Sequence, residues 1–505
     1  MPGAAGLTLR ALASRSVAAL VALLALAPAA AETLSIGGKR FTEAYILTHL
    51  LAETARPHTP VEVRAGLGNT AIVYEALRSG NIDLYPEYVG TIEREILKNT
   101  SPSSLDAMRR QLEPLGFGIA IPFGFNNGYA LAMRAAEAER LGIRAVGDLA
   151  RHPELKLGLS NEFLGRADGW KGLAAHYGLP QQPTGIDHGL AYDALASRQI
   201  DVMDIYTTDA KIGQLKLRVL DDDRGYFPRY DAVVLHRLDV PQRFPAAWRA
   251  LSALAGTIDE RAMIAMNARA ELDGVAFEAI ARDFLAGGSG GGQAGRGFAG
   301  KLFGADLARL TVQHLMLVVV SVAAAALIGI PLAIAVASRD ALRAFVLGAT
   351  GVLQTIPSLA LLALLISLMG AIGTLPALVA LSLYALLPIV RNTCTGLAEV
   401  PAGLKQAALA LGLSPRDRLL RIELPLAAPT VIAGVRTATV ITVGTATIAA
   451  FIGAGGYGER IVTGLALNDS QLLVAGAVPA ALLALACEGA FELIEASIRR
   501  RRGRS

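Results

Sequence analysis

The stretch QAALALGLSPRDRLLRIELP, residues 406–425, places charged residues and a turn between long apolar runs. Gly412 lies in a Gly-Leu-Ser-Pro break between two segments with helical patterning. Pro425 is expected to end the second helix just before the next apolar stretch. The pattern predicts a short helix–turn–helix on a membrane surface. Nothing in the stretch indicates a catalytic site.

The rest of the chain has one part with the composition of a water-soluble protein and one part apolar enough for a lipid bilayer. Of the 505 residues, 53% are hydrophobic and 18% are charged, and the mean hydropathy is +0.45. This is more apolar than a soluble protein of this size needs. The excess lies after residue 310, whereas residues 32–285 have an ordinary soluble composition. The net charge of +4 is too small to indicate a nucleic-acid partner.

The N-terminus has the pattern of a secretory signal. Two arginines, a short apolar run and three alanines ending at Ala31 precede Glu32, as at a small-residue cleavage site. We assign residues 1–31 to a signal peptide, although an uncleaved anchor is also compatible with the sequence. The exported segment contains no cysteine, since both lie later at Cys394 and Cys487, so disulfides cannot stabilise it.

A glycine-rich linker, residues 287–304, follows the expected solute-binding domain at 32–286. Beyond it we expect an all-α membrane domain over residues 305–498 and a basic cytoplasmic tail over 499–505. Five apolar stretches in this domain are long enough to cross a bilayer as helices. They are residues 310–337, 345–369, 375–396, 427–453 and 470–495.

Basic residues between these stretches predict the orientation. Arg339 and Arg343 follow the first stretch, the Arg-rich loop at 405–421 follows the third, and the basic tail follows the fifth. The segments after the second and fourth contain only Arg460. By the positive-inside rule the Arg-rich loop and the C-terminus are cytoplasmic. This agrees with export of the N-terminal half.

The N-terminal half alternates strand-like and helix-like patterns. Residues 34–53 have the pattern strand, turn, helix, and residues 61–85 the pattern strand, loop, helix, strand. Such alternation predicts α/β packing with open sheets. The length suffices for two lobes with a cleft between them. We expect the chain to enter the second lobe near 127–132 and to return near 226–232.

Seven segments of this half, in order, resemble the binding proteins of osmoprotectant ATP-binding-cassette (ABC) importers, which take up glycine betaine, choline, carnitine and proline betaine. The segments are GKRFTEAYIL (38–47), LGNTAIVYEALRSGNIDLYPEYVGT (67–91), NNGYAL (126–131), NEFLGRADGWKGL (161–173), GLAYDAL (189–195), DVMDIYTTDAKI (201–212) and LDDDRGYFPRYDAV (220–233). The Ala-Ala-x3-Gly-x9-Ile-x-Leu-Pro pattern within residues 406–425 resembles the cytoplasmic coupling loop of ABC permeases, which seats in a groove of the ATPase.

The resemblance implies a two-lobed α/β periplasmic-binding-protein fold of type II, followed by an all-α type I ABC permease with about five transmembrane helices. It implies a multi-pass protein of the bacterial inner membrane with a periplasmic N-terminal domain. Its expected role is a fused binding and permease subunit for quaternary-amine osmoprotectants, with no cofactor of its own. The expected partners are a separate ATPase and, since the chain holds one permease region, a second copy of itself.

A quaternary ammonium has no proton to donate, so electron-rich aromatic faces are the groups that can hold it. Ten of the twelve tyrosines lie in the exported half. The resemblance assigns an aromatic cage and three partners for a ligand carboxylate, and Tyr85 could replace or join Tyr88. The cage residues are Tyr88, Tyr129, Tyr206 and Tyr230, and the carboxylate partners are Lys39, Thr91 and Arg166.

The resemblance also assigns the ATPase contact, and the sequence departs from the family pattern at three positions. Val89 and Gly128 stand where hydroxyl residues are common, which leaves the substrate open. Gln406 replaces the usual acidic residue of the coupling loop, which removes one charge from the ATPase contact. The assigned contact residues are Gln406, Ala407, Ala408, Gly412, Arg416, Arg418 and Pro425.

Three other functions are weighed against this one. Ergothioneine, a betaine of a thiolated histidine, is an alternative substrate. A membrane-anchored solute receptor that does not transport needs only one or two spans, so five argue against it. An envelope enzyme would need a nucleophile and a base, and the sequence contains no G-x-x-x-x-G-K-[ST], H-E-x-x-H, C-x-x-C or G-x-S-x-G motif. We therefore expect a transporter subunit and not an enzyme.

Overall fold

The computed structural model describes residues 32–287, 297–467 and 469–502. The expected signal peptide lies outside the described residues, as do most of the expected linker and the end of the basic tail. The strands are β1 (Leu34–Gly37), β2 (Val61–Arg64), β3 (Leu84–Tyr88), β4 (Phe117–Ala120), β5 (Tyr129–Arg134), β6 (Gly158–Ser160), β7 (Thr184–Ile186), β8 (Val202–Tyr206), β9 (Leu217–Val219) and β10 (Ala232–Arg237).

The strands form two lobes. The first sheet has the order β2-β1-β3-β10-β4, in which β10 runs antiparallel to both neighbours. The second lobe holds the antiparallel sheet β8-β5-β9 and the parallel pair β6-β7. The chain enters the second lobe between β4 and β5 and returns between β9 and β10, where the sequence predicts the two crossings.

The helices of this half cover the sheets, and several begin at side-chain caps. Asn69 accepts a hydrogen bond from the Ile72 N–H, and Asp259 accepts one from the Ala262 N–H. The helices are α1 (Thr42–Ala55), α2 (Thr70–Arg78), α3 (Val89–Thr91), α4 (Leu105–Leu112), α5 (Ala135–Leu141), α6 (Asn161–Gly165), α7 (Trp170–Tyr177), α8 (His188–Ala196), α9 (Lys211–Gln214), α10 (Val240–Arg243), α11 (Pro245–Ser252), α12 (Glu260–Glu271) and α13 (Phe277–Leu285).

The second half is helical. Among the described residues, four helical segments are long and apolar enough to span a bilayer: Leu307–Val336, Thr374–Ala398, Pro415–Ile452 and Ser470–Ser497. The helices are α14 (Phe298–Leu302), α15 (Leu307–Val336), α16 (Asp340–Thr355), α17 (Ser358–Met369), α18 (Thr374–Ala398), α19 (Ala402–Ala410), α20 (Pro415–Arg418), α21 (Leu424–Thr445), α22 (Gly458–Leu467) and α23 (Ser470–Arg502).

The expected span at 345–369 is a pair of helices with a sharp bend between them. Helices α16 and α17 meet at an angle of 98°. Ile356 has an extended backbone (ψ 127°) and Pro357 follows it, because a proline ring disfavours the helical conformation of the preceding residue. Counting the pair as one span gives five.

Pro425 does not end a helix, contrary to the sequence prediction. It lies in the first turn of α21, directly after a π-helical turn at Leu419–Glu423. A proline has no N–H for the hydrogen bond of a continuing helix, and Pro425 falls where π-helical bonding changes to α-helical bonding. The chain therefore passes from the short helix α20 into the span without a break.

Candidate functional site

A cavity between the two lobes contains most of the predicted ligand residues. Tyr129 of β5 and Tyr206 of β8 are directly opposite each other in the second lobe. Tyr88 ends β3 of the first lobe, and Tyr230 lies on the returning crossover. The residues lining the cavity are Lys39, Phe41, Tyr88, Thr91, Asn127, Tyr129, Glu162, Tyr206 and Tyr230. We call this the aromatic cavity.

The aromatic rings are in contact around it. Ring centroids lie 5.1 Å apart for Tyr129 and Tyr206 and 5.6 Å apart for Tyr129 and Tyr230. Phe41 lies 5.2 Å from Tyr206 and 6.1 Å from Tyr88. Four tyrosines and one phenylalanine from both lobes therefore present π surface to one small space, as binding of an organic cation requires.

Hydrogen bonds fix two of the tyrosines. The Tyr88 hydroxyl donates to Glu43 Oε1 at 2.5 Å, and the Tyr230 hydroxyl donates to Asp168 Oδ2 at 2.6 Å. The hydroxyls of Tyr129 and Tyr206 are 3.5 Å apart. Burial raises the pKa of all four phenols well above its usual range, so they stay neutral. A phenol that donates to a carboxylate keeps a fixed orientation of its ring.

Glu43 connects the walls of the cavity. Besides the Tyr88 hydroxyl, its carboxylate accepts hydrogen bonds from Asn127 Nδ2 at 3.0 Å, Thr208 Oγ1 at 2.5 Å and Asn267 Nδ2 at 3.3 Å. Burial raises the pKa of Glu43, and the four hydrogen bonds oppose that rise. One side chain in the first turn of α1 thus joins β3, the crossover into the second lobe, the loop after β8, and α12.

The predicted carboxylate partners are themselves paired. Lys39 Nζ lies 2.5 Å from Glu87 Oε1 and 5.3 Å from the centre of the Tyr88 ring. Arg166 donates two hydrogen bonds of 2.7 Å to Asp168 and lies 5.1 Å from the centre of the Tyr129 ring. Lys39 lines the cavity, whereas Arg166 does not and lies behind Tyr129.

Thr91 connects Arg166 to the cavity. The hydroxyl of Thr91, which lines the cavity, accepts a hydrogen bond of 3.4 Å from Arg166 Nη2.

Tyr85, the alternative to Tyr88, is fully buried in an apolar cluster that includes residues of α2, and it does not line the cavity. Among the described residues, no group of three or more His, Cys, Asp or Glu side chains is arranged to hold a metal ion.

Three lining residues were missed by sequence reasoning: Phe41, Asn127 and Glu162. Each lies within a segment that carries the resemblance, directly beside or near a predicted residue. A phenylalanine two residues after Lys39 was a usable signal for an additional ring. The remaining two could not be identified, because Asn127 lies in a loop and Glu162 in a helix of only five residues, both too short to carry a periodicity that indicates which way a side chain points.

The predicted coupling loop forms a helix–turn–helix. Helix α19 ends at a left-handed Gly412 (φ 75°), a conformation that favours glycine at a helix end. Ser414 then caps α20 by accepting a hydrogen bond from the Asp417 N–H. Arg418 pairs with Glu423 at 2.7 Å. Ala408 is buried, whereas Gln406, Ala407 and Arg416 are exposed.

Two family models match the chain. The substrate-binding domain of the ABC-type glycine betaine transport system matches residues 32–287, about half of the chain. The inner-membrane component of binding-protein-dependent transport systems matches residues 274–500. The two matches overlap at 274–287, which includes α13.

Individual relatives match each half. A glycine-betaine-binding protein of Pseudomonas aeruginosa is 38% identical over 287 residues, 53% of this chain and 91% of the relative. An osmoprotectant import permease protein of Salmonella typhimurium is 46% identical over 183 residues, 35% of this chain and 85% of the relative.

A third relative carries both functions in its name. An ergothioneine transport permease and ergothioneine-binding protein of Helicobacter pylori is 32% identical over 264 residues, 50% of this chain and 47% of the relative, so this chain matches about half of that relative's length. With the candidate spans, the two family matches make the chain a multi-pass inner-membrane transport subunit. It belongs to the family of substrate-binding domains of ABC-type glycine betaine transport systems, fused here to the permease component of an ABC importer.

Proposed function

We propose that the chain captures a quaternary-amine osmoprotectant, such as glycine betaine or choline, and imports it through a permease formed by two copies, powered by a separate ATPase. The aromatic cavity is the observation that carries the proposal. Each well-placed ring contributes about 0.5–2 kcal/mol to holding a cation. Several rings therefore supply a large part of the roughly 8 kcal/mol of a micromolar site.

A zwitterionic solute also needs a partner for its carboxylate. Lys39 and Thr91 line the cavity, and Arg166 reaches it through Thr91. We assign the carboxylate to Lys39 and Thr91, with Arg166 fixing the Thr91 hydroxyl. Choline has no carboxylate, so Lys39 would remain paired with Glu87 when choline is bound.

The proposed direction is inward. The exposed loop around Arg416 and the arginine distribution support a cytoplasmic C-terminal side, where an ATPase could bind. The binding domain would then face the periplasm. Since the chain contains one permease region, two copies would supply the pair that an importer of this class needs.

Calorimetry on the purified full chain tests the binding step with glycine betaine and choline. We expect Tyr206→Ala to weaken binding at least about tenfold, since tenfold corresponds to 1.4 kcal/mol and one ring supplies about that much. Tyr226→Ala is the matched control, because Tyr226 does not line the cavity. Equal affinity in the wild type and Tyr206→Ala would refute the cage assignment.

Ergothioneine is the second candidate, because the H. pylori relative named for it is similar over half of this chain. It carries a trimethylammonium group and a carboxylate, so the same rings and the same partners would serve it. Competition calorimetry with glycine betaine against bound ergothioneine separates the two. Tighter binding of ergothioneine would replace the osmoprotectants as the proposed substrate.

A further inference from the structure

Two cavities lie on either side of Phe41. The aromatic cavity has a volume of only about 10 Å³, whereas a second cavity of about 220 Å³ lies next to it. Phe41, Glu162 and Tyr206 line both. We call the second cavity the vestibule. A solute leaving the aromatic cavity on this side must pass these three side chains.

Phe41 is the ring among them whose side chain makes no hydrogen bond. Tyr206 is paired in β8, and its hydroxyl lies 3.5 Å from the hydroxyl of Tyr129. Phe41 precedes the first turn of α1 with an extended backbone (φ −156°) and is partly buried. Because the space among the rings holds about one water-sized sphere, binding of an organic cation requires the rings, or the lobes that carry them, to move.

The vestibule opens toward the permease half. Its wall includes Asn69 from the first lobe, Asp187 and His188 from the second lobe, and Ala466 from α22 of the permease. Solute that passes Phe41 therefore arrives at the surface where the binding domain contacts the membrane domain.

Arg40, the neighbour of Phe41, makes that contact. Its guanidinium carbon lies 4.7 Å from the centre of the Phe451 ring of the permease, and its Nη2 lies 4.0 Å from Asp187 Oδ2. Within the described part of the chain, its Nη1 is buried without a hydrogen-bond partner. The aromatic face is therefore the main partner of this cation, a contact of about 0.5–2 kcal/mol.

Both lobes touch the permease. In the first lobe, Leu67 Cδ2 lies 2.7 Å from where a side-chain carbon at Gly453 would be. In the second lobe, a side-chain carbon at Gly189 would lie 2.6 Å from the Leu465 carbonyl oxygen. Both lobes are therefore in contact with the permease in one relative placement, so a change of the cleft must shift at least one of the contacts with the permease.

We propose that Phe41 is the gate between the aromatic cavity and the vestibule, and that the contact of Arg40 with Phe451 couples this gate to the permease. The proposal rests on the function proposed above. Arg40 and Phe41 are consecutive, so a shift of the backbone before α1 moves both side chains. In this structure Arg40 contacts Phe451 while the aromatic cavity is nearly closed, so we expect the gate to open when that contact shifts.

Rapid-mixing kinetics on the full chain test the gate with Phe41→Leu. A gate slows entry and exit alike, so we expect the association and dissociation rate constants of glycine betaine or choline both to rise at least about fivefold. The dissociation rate constant should rise further, because Phe41→Leu also removes one ring from the cavity. If only the dissociation rate rises, Phe41 is a ring of the cage and not a gate. Unchanged rates would also overturn the proposal.

Cross-linking tests the coupling contact without any solute. The pair Arg40→Cys and Phe451→Cys, in a full chain with Cys394 and Cys487 changed to alanine, should be joined by a short bismaleimide, which replaces the length of the two side chains that the substitutions remove. The pair Arg56→Cys and Phe451→Cys should not, because Arg56 is at the far end of α1. Equal cross-linking in both pairs, or none in the first, would refute the docking contact.

The experiments distinguish a failure of the proposed function from a failure of the proposed coupling. If the wild-type chain binds neither quaternary amine, the proposed function fails, and the cross-link still decides whether Arg40 meets Phe451. If the wild type binds and takes up solute, Arg40→Ala should reduce uptake at least about tenfold with Kd within about threefold. Arg40→Lys, which retains a cation, should restore part of it. Unchanged uptake in Arg40→Ala would overturn the coupling.

Discussion

At the scale of single residues, Glu43 determines how the cavity is held together. We expect Glu43→Gln to lower the apparent melting temperature of the full chain and to weaken solute binding. A carboxylate accepts all four hydrogen bonds, but the amide nitrogen of glutamine cannot accept any, so two of the four donors lose their partner at about 1–3 kcal/mol each. Glu139→Gln, at an exposed position of α5, is the control. Equal melting temperatures would contradict this role.

His188 gives the binding domain a pH dependence. Burial alone would lower its pKa, but the charge and hydrogen bond of Asp209 and the charge of Asp204 outweigh burial and raise the pKa to about 9. A raised pKa contributes stability that is fully present below the unfolded value of about 6.5 and is lost as the pH rises through about 9.

Thermal melts of the full chain between these two pH values test this contribution. We expect the apparent melting temperature of the wild type to fall as the pH rises from about 6.5 to about 9. The melting temperature of His188→Gln should fall less over the same range. His58→Gln, at an exposed site, should behave like the wild type. A variant whose melting temperature falls as steeply as that of the wild type would show that His188 does not contribute.

Which tyrosines line the cavity was partly readable from the sequence. Tyr85 and Tyr88 lie three apart in β3, and successive strand residues point to opposite faces. The two rings therefore had to face opposite sides, and one motif could not supply both. The position of Arg166 beside Tyr129 was not readable, because it depends on how α6, whose Phe163 stacks on Tyr129, packs within the second lobe.

At the scale of helices, the backbone of α8 lies close to the backbone of α22 at Gly189. We expect Gly189→Ala to reduce uptake strongly and to leave solute affinity unchanged, because its methyl group would meet the Leu465 carbonyl oxygen at 2.6 Å and nothing in the aromatic cavity. Alanine itself favours a helix. Gly213→Ala, which meets no atom within 4 Å, is the matched control. Normal uptake in Gly189→Ala would contradict the contact.

The sequence predicted the positions of the membrane helices, but not how the chain bends or continues at two prolines. Apolar length identifies spans because every backbone group must be satisfied inside a bilayer. Length does not show a bend, and the 98° angle at Pro357 splits an apolar run that reads as continuous. At Pro425 the opposite error arose, since the preceding π-helical turn made the proline compatible with a continuing helix.

At the scale of the whole molecule, the coupling loop decides between a transporter and a receptor. We expect Arg416→Glu to reduce co-purification of an ATPase and solute uptake at least about tenfold, since a like charge would oppose docking, while solute affinity stays unchanged. Arg416 is exposed, whereas Arg418 and Arg421 already pair with Glu423 and Asp417. Without the usual acid at Gln406, this arginine is the charge most available to a partner.

Arg339→Glu provides the control, because Arg339 is exposed on the same predicted side of the membrane but lies outside the loop. The two variants change net charge equally, so a difference between them is specific to the loop. If both bind solute and take it up like the wild type, docking does not depend on Arg416. If the wild type binds solute but neither retains an ATPase nor takes solute up, the chain is a receptor, and the loop has no coupling role.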